Sequence, residues 1–135
     1  MFHYFDGAAR VPGLIQDQAQ MGSGLLRAYQ ATGDDEYVDR ARRLADFTLT
    51  ELTNPAGGFY DICAQESTAL KLRLMLIEQN GAAAGFFFSL AQATKDGRYR
   101  GAALSALRAF AGDFSQYGVH AAPFGSALAQ LQGLE

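Results

Sequence analysis

The stretch Gln30-Ala31-Thr32-Gly33-Asp34 recurs as Gln92-Ala93-Thr94-Lys95-Asp96, 62 residues further along the chain. The same offset carries Ile15 onto Ile77, Tyr37 onto Tyr99 and Ala41 onto Ala103; a slip of one residue then brings Leu44 onto Leu107 and Phe47 onto Phe110. Self-similarity at a fixed period marks stacked supersecondary units, each unable to bury its apolar face alone. The repeated stretch combines a polar helix end with an Asp that can cap a following helix, so it predicts a tight helix-helix turn.

Outward from the turn, each unit predicts a pair of helices. The first helix is rich in small residues, Ala19, Gly22, Ser23 and Gly24 in one copy and Gly81 to Gly85 in the other. Interior glycine costs a helix about 1 kcal/mol relative to Ala, so this concentration predicts close helix-helix approach in a crowded inner ring. The second helix is amphipathic. Tyr37, Ala41, Leu44, Ala45, Thr48 and Leu52, then Tyr99, Ala103, Leu107, Phe110 and Phe114, follow the spacing of one buried face, with Asp39, Arg40 and Arg43 off it.

Between the units the texture changes. Asn54-Pro55-Ala56-Gly57-Gly58 is a strong stop, Phe59-Tyr60-Asp61-Ile62 has strand-like content, and Leu70-Lys71-Leu72-Arg73-Leu74 alternates with period two. This predicts a short β-hairpin; Leu, Lys and Arg also suit an extension of a helix. Ser126-Ala127-Leu128 resembles Ser23-Gly24-Leu25, which predicts a third unit with one helix only. The expected organisation is a single all-α domain over 1–135: repeat 1 at about 14–54, the hairpin at about 57–76, repeat 2 at about 77–117 and a truncated repeat 3 at about 119–135. Met1 reads as a start placed ahead of an internal segment.

Composition narrows the function classes. A net charge of -3 without a Lys/Arg cluster argues against nucleic acid as a partner. An apolar share of 49% is ordinary, and no run approaches the roughly 18 apolar residues of a membrane span. Cys63 is the single cysteine, so no intrachain disulfide is expected, and a cytoplasmic setting fits. Histidines at positions 3 and 120 lack metal-ligand spacing, so neither a metal nor another cofactor is expected.

Several motifs carry a resemblance: Gly13-Leu14-Ile15-Gln16-Asp17-Gln18-Ala19, Thr32-Gly33-Asp34, Gly57-Gly58-Phe59-Tyr60-Asp61 and Glu78-Gln79-Asn80-Gly81, in that order. Tyr99-Arg100, Ala109-Phe110-Ala111-Gly112 and Tyr117-Gly118-Val119-His120-Ala121-Ala122 extend it over nearly the whole length. The chain resembles the C-terminal, six-hairpin-glycosidase-like region of thioredoxin-domain-fused proteins of the spermatogenesis-associated type. The resemblance implies an (α/α) toroid of helical hairpins, about two and a half of them here, related to N-acylglucosamine 2-epimerases and many glycosidases. It also implies a thioredoxin-like domain as a companion, which this chain does not include.

Equivalent positions on successive inner helices fall at one end of such an assembly. Asp17, Gln18, Gln79, Asn80 and His120 are such positions, with Glu78 adjacent. Glycoside hydrolysis uses two carboxyl groups, about 5 Å apart in retaining enzymes and about 6.5 to 9.5 Å apart in inverting ones, and Asp17 with Glu78 is the pair placed for it. His120 has an acid/base range suited to an epimerase, on its own or opposite His3. Gln18, Gln79 and Asn80 would bind substrate, and Tyr60, with Phe59, Phe2, Tyr4 and Phe5, would offer aromatic faces to a sugar. Each residue also has a plain structural role open to it. Carboxylates in a first helical turn interact with the helix dipole, a histidine ties a helix start to its neighbour, and aromatics beside a helical ring are core.

The expected function is therefore a portion of a carbohydrate-processing toroid that binds sugar at the inner-helix N-terminal ends without turnover by itself. The alternative is a helical interaction module, packing on a thioredoxin-like domain or a partner chain. Exposed toroid flanks predict a homo-oligomer.

Overall fold

The computed structural model describes residues 2–5, 7–64 and 72–133, with the side chains of 2–5 and 9–12 left aside. A two-stranded antiparallel hairpin, β1 (Phe2–Phe5) and β2 (Ala9–Pro12), leads into five helices. They are α1 (Ile15–Thr32), α2 (Asp35–Glu51), α3 (Ile77–Thr94), α4 (Gly97–Arg108) and α5 (Ala122–Gln132), the last preceded by a 3-10 segment at Phe114–Ala121.

The repeat holds at the level of atoms. α1 and α3 both run 18 residues and both end where the next backbone unit turns left-handed, at Gly33 (φ 72°) and Lys95 (φ 59°). Thr32 Oγ1 donates to the Ala28 carbonyl and accepts from the Asp34 N–H; Thr94 does the same with Leu90 and Asp96. Asp34 and Asp96 then cap α2 and α4 by accepting from the N–H two residues on, each at 2.9 Å. These bonds satisfy donors that a helix start otherwise leaves unpaired, so each polar turn stops one helix and starts the next.

Packing sorts the helices into two layers. α3 lies between α1 and α5, and α2 and α4 pack outside on their own partners. α3 is apolar nearly all round, with Ile77, Ala83, Ala84, Phe86, Phe87, Phe88 and Leu90 buried, as a helix flanked on both sides must be. Phe87 stacks between Phe59 (5.3 Å) and Tyr99 (6.2 Å), joining the interhelical loop to the outer layer. The buried Tyr99 hydroxyl donates to Asp46 Oδ1 at 3.1 Å, tying α4 to α2; burial, then this bond, pushes the phenol up from its ordinary range.

The inner helices touch at glycine. A Cβ on Gly22 would lie 2.3 Å from the Phe86 ring, and one on Gly81 would lie 2.3 Å from the backbone nitrogen of Phe124. Both positions are closed to any side chain unless a neighbour moves. The interior glycines Gly24 and Gly85 differ: nothing approaches the first within 4 Å, and only Gln130 Oε1, at 3.7 Å, approaches the second. Each costs its helix about 1 kcal/mol with no packing contact to require it.

Two stretches depart from the sequence reading. The strand pair sits at the N-terminus, whereas the described parts of 57–76 carry isolated bridges, Thr53 with Phe59 and Leu14 with Ile62. Asp61 is the reason: its N–H donates to the Leu74 carbonyl and its own carboxylate accepts the Leu74 N–H, so a side chain takes the place of a ladder bond. Residues 65–71, including Leu70 and Lys71, lie outside the described residues. The second departure is α4, which ends at Arg108 before the expected Phe110 and Phe114. The Phe110 and Ala111 N–H groups bond three residues back, tightening the chain into turns, and Phe110 packs edge-on to Tyr117 at 5.9 Å. Phe114 opens the 3-10 segment and stacks on Phe124.

The partial toroid therefore rests on contacts that do not tolerate a methyl group. Gly81→Ala is expected to cost about 2 kcal/mol or more, read as a Tm lowered by roughly 6 °C or more in thermal denaturation, because the obstructing atoms belong to the α5 backbone. An unchanged Tm would contradict the packing of α5 on α3.

Candidate functional site

The N-terminal ends of the inner helices bring some of the expected residues together. Neither α1 nor α3 has a side-chain cap; Leu14 and Leu76 occupy those positions. Backbone does part of that work at α1, where the Ile15 N–H donates to the Asp61 carbonyl at 3.0 Å. Asp17 and Glu78 thus stand in their first turns without serving as N-caps, where a carboxylate is favoured by the helix dipole.

Glu78 and His120 meet. His120 Nδ1 lies 3.5 Å from Glu78 Oε2, with the side chains 71% and 57% exposed, so the pair faces solvent at the mouth and adds little to stability. His120 belongs to the end of the 3-10 segment, not to a helix start, and it is the seating of Phe124 on Gly81 that brings this segment beside α3.

The amides at this end differ sharply. Asn80, 1% exposed, accepts the Phe59 N–H at 2.8 Å and donates to the carbonyls of Phe59 (3.0 Å) and Leu76 (3.1 Å). It pins the Gly58-Phe59 loop onto α3. Gly58, at φ 72°, is required there, since a Cβ would lie 2.9 Å from Asn80 Oδ1. Gln18 stands 62 residues earlier at the matching position of α1 and is fully buried, yet among the described residues neither of its amide atoms has a hydrogen-bond partner. Gln79 Oε1 is likewise buried and unpartnered. Unpaired buried polar atoms carry a desolvation penalty, so these are the atoms here that a ligand or water would satisfy.

Tyr60 is half-buried, and the Arg73 guanidinium lies 3.8 Å from the centre of its ring, covering one face. Phe59 is core. The side chains of Phe2, His3, Tyr4 and Phe5 lie outside the described residues. Among the described residues no group of three or more His, Cys, Asp or Glu side chains could hold a metal ion.

A second concavity was not anticipated. A groove of about 540 Å³ lies between α1 and α3 toward their C-terminal halves, lined by Ser23, Arg27 and Gln30 of α1, Ser89 of α3 and Gln130 of α5. Arg27 and Ser89 occupy equivalent positions of the 62-residue repeat, and this is the signal that could have found it.

With this geometry in place, two similarities bear on the chain. Residues 15–71 match the family described as D-glucuronyl C5-epimerase C-terminus, a match over fewer than half of the 135 residues. Among solved structures, a GH76 α-mannanase from Bacteroides thetaiotaomicron, determined as a selenomethionine derivative, superposes with a TM-score of 0.63 at 20% identity. The superposition covers 78% of this chain and 29% of the mannanase, so the chain spans less than a third of that protein's length. No curated protein matches. The likeness to the mannanase shows the fold, a portion of an α/α toroid, and both similarities are to proteins of carbohydrate-processing type.

The contrast between the two matching amides gives a direct test. Asn80→Ala strips partners from the Phe59 N–H and C=O and is expected to destabilise by about 2–4 kcal/mol. Gln18→Leu removes an amide with no partners and is expected to leave the denaturation midpoint unchanged or higher. Equal losses for both would show that Gln18 is paired after all.

Proposed function

We propose that this chain is a portion of a carbohydrate-processing α/α toroid that binds a sugar at the N-terminal ends of its inner helices and does not turn it over alone. The observation that carries the reading is the approach of His120 to Glu78 at one end of α3, beside buried amide atoms that find no partner among the described residues. Support comes from the match of residues 15–71 to the epimerase family and from the toroid shared with the mannanase.

In this reading Asp17, Glu78 and His120 are the acid/base groups, and Gln18, Tyr60 and Gln79 hold the sugar, with Asn80, expected from the sequence to bind it directly, placed behind them. An imidazole against a carboxylate is one proton-transfer unit. Inversion at a carbon needs a second group on the opposite face, and glycoside cleavage needs a second carboxyl, for which Asp17 on the neighbouring inner helix is the choice. The family name makes a uronyl residue the first ligand to try. Asn80, held by the loop, acts by fixing Phe59 and Tyr60 in place.

Calorimetry with neutral monosaccharides, uronic acids and their disaccharides tests this. A saccharide is expected to bind, with affinity reduced at least tenfold in Glu78→Gln and His120→Ala, both exposed positions whose loss leaves the fold intact. Binding unaffected by either variant would remove this end of the toroid as the site.

The second reading, an interaction module, is favoured by a specific feature. Leu72, Leu74 and Leu76 are 63%, 44% and 41% exposed on alternate positions of one extended segment, and Val119 beside His120 is 85% exposed. Apolar rows of this kind are commonly covered by another chain, here a second copy or a thioredoxin-like domain. Light scattering at micromolar concentration is expected to show a dimer or larger species; a stable monomer contradicts self-association.

A further inference from the structure

The repeat is broken at one place by side-chain size. Gln20, Ser23 and Arg27 on one face of α1 correspond to Ala82, Gly85 and Ser89 on α3. The exchange hollows the middle of the inner layer. The 540 Å³ groove on the α1 side and a second hollow of about 410 Å³ on the α5 side share Ala82, Gly85 and Gln130, and so form one trough across α3.

Packing does not explain the hollow. Gly22 and Gly81 are demanded by neighbours, but four interior helix glycines, Gly24, Gly85, Gly101 and Gly125, meet no backbone or core atom. Two of those four, Gly24 and Gly85, line this one groove. Glycine kept in a helix against its propensity, with open space over it, is suited to close approach of a ligand to backbone.

The trough wall is polar and ordered. Gln130 Nε2 donates to Ser89 Oγ at 2.8 Å, which aims Gln130 Oε1 over Gly85. Ser23, Arg27 and Gln30 recur along α1 at spacings that share a face. Arg27 is the one charged residue lining the 540 Å³ groove, and it makes no ion pair among the described residues. A space of this size, with a guanidinium free of ion pairs among the described residues and converging hydroxyl and amide groups, has the makings of a small-molecule site.

We propose that the trough binds a small, hydroxyl-rich anion, its acid group on Arg27 and its hydroxyls on Ser23, Gln30 and Gln130. A carboxylate or a phosphate would satisfy the guanidinium fork equally. The polar end of the trough lies away from the mouth, whereas its α5-side hollow extends to Gly81 and Ala122. Ser89 stands 11 residues beyond Glu78 on α3, roughly 16 Å along the helix axis.

The test is calorimetry on the full chain with glucuronate, glucose 6-phosphate and glucose as probes. In the Glu78→Gln/His120→Ala double variant, which removes the proposed sugar mouth, at least one of the two anions is expected to bind with one site per chain, and which of them binds identifies the acid group. In that background Arg27→Gln is expected to weaken the binding at least tenfold and Gly85→Leu to abolish it. The background separates this site from the proposed sugar mouth. Should Gly85→Leu lower the Tm, the exposed Arg27→Gln variant decides alone. In the double variant, absence of binding by both anions, glucose binding as tightly as either, or indifference to Arg27→Gln would each overturn the proposal.

Discussion

The closeness of the inner helices is the constraint on which the rest depends. Phe86 occupies the notch at Gly22, and the backbone of Pro123 and Phe124 rests on Gly81, so α3 is gripped from both sides, by a ring against glycine on one and by backbone against glycine on the other. Interiors packed this tightly resist adjustment by even one methyl group. Everything at the mouth inherits its position from that grip. Gly81 lies three residues after Glu78, and Phe124 lies four after His120, so the contact that seats α5 also fixes the distance between imidazole and carboxylate.

Much of this was legible because it is local. The Thr-x-Asp turns are written in the residues that make them: the hydroxyl and carboxylate that close the bonds at Asp34 and Asp96 are next to the backbone they bind. The 62-residue repeat then gave the helical hairpins and their stacking. What was not legible depends on distant partners. Asn80 looked like a substrate ligand, but its bonds go to Phe59, 21 residues back in a loop outside the repeat. The small residues of the inner helices looked alike, yet only the three-dimensional neighbours separate Gly22 and Gly81, which packing demands, from Gly24 and Gly85, which it does not. Likewise the aromatic period after Ala103 said nothing of the turns that end α4 at Arg108.

Repetition and its interruptions divide the labour within the chain. Where the two units agree, at caps, turns and outer-helix stripes, the residues build the scaffold. Where they differ, the side chains change contacts and shape. Gln18 against Asn80 sets an orphaned amide beside a satisfied one, and Gln20, Ser23 and Arg27 against Ala82, Gly85 and Ser89 cut the trough. The exposed pair at the mouth and Arg27 in the trough lie at different levels along the same inner layer.

The central claim is that α1, α3 and α5 lie side by side in van der Waals contact at glycine. Nuclear Overhauser contacts measure this directly. The account predicts cross-peaks from the Gly22 α-protons to the Phe86 ring and from the Gly81 α-protons to the Phe124 amide. Absence of both, in a folded sample with its helices assigned, would contradict it.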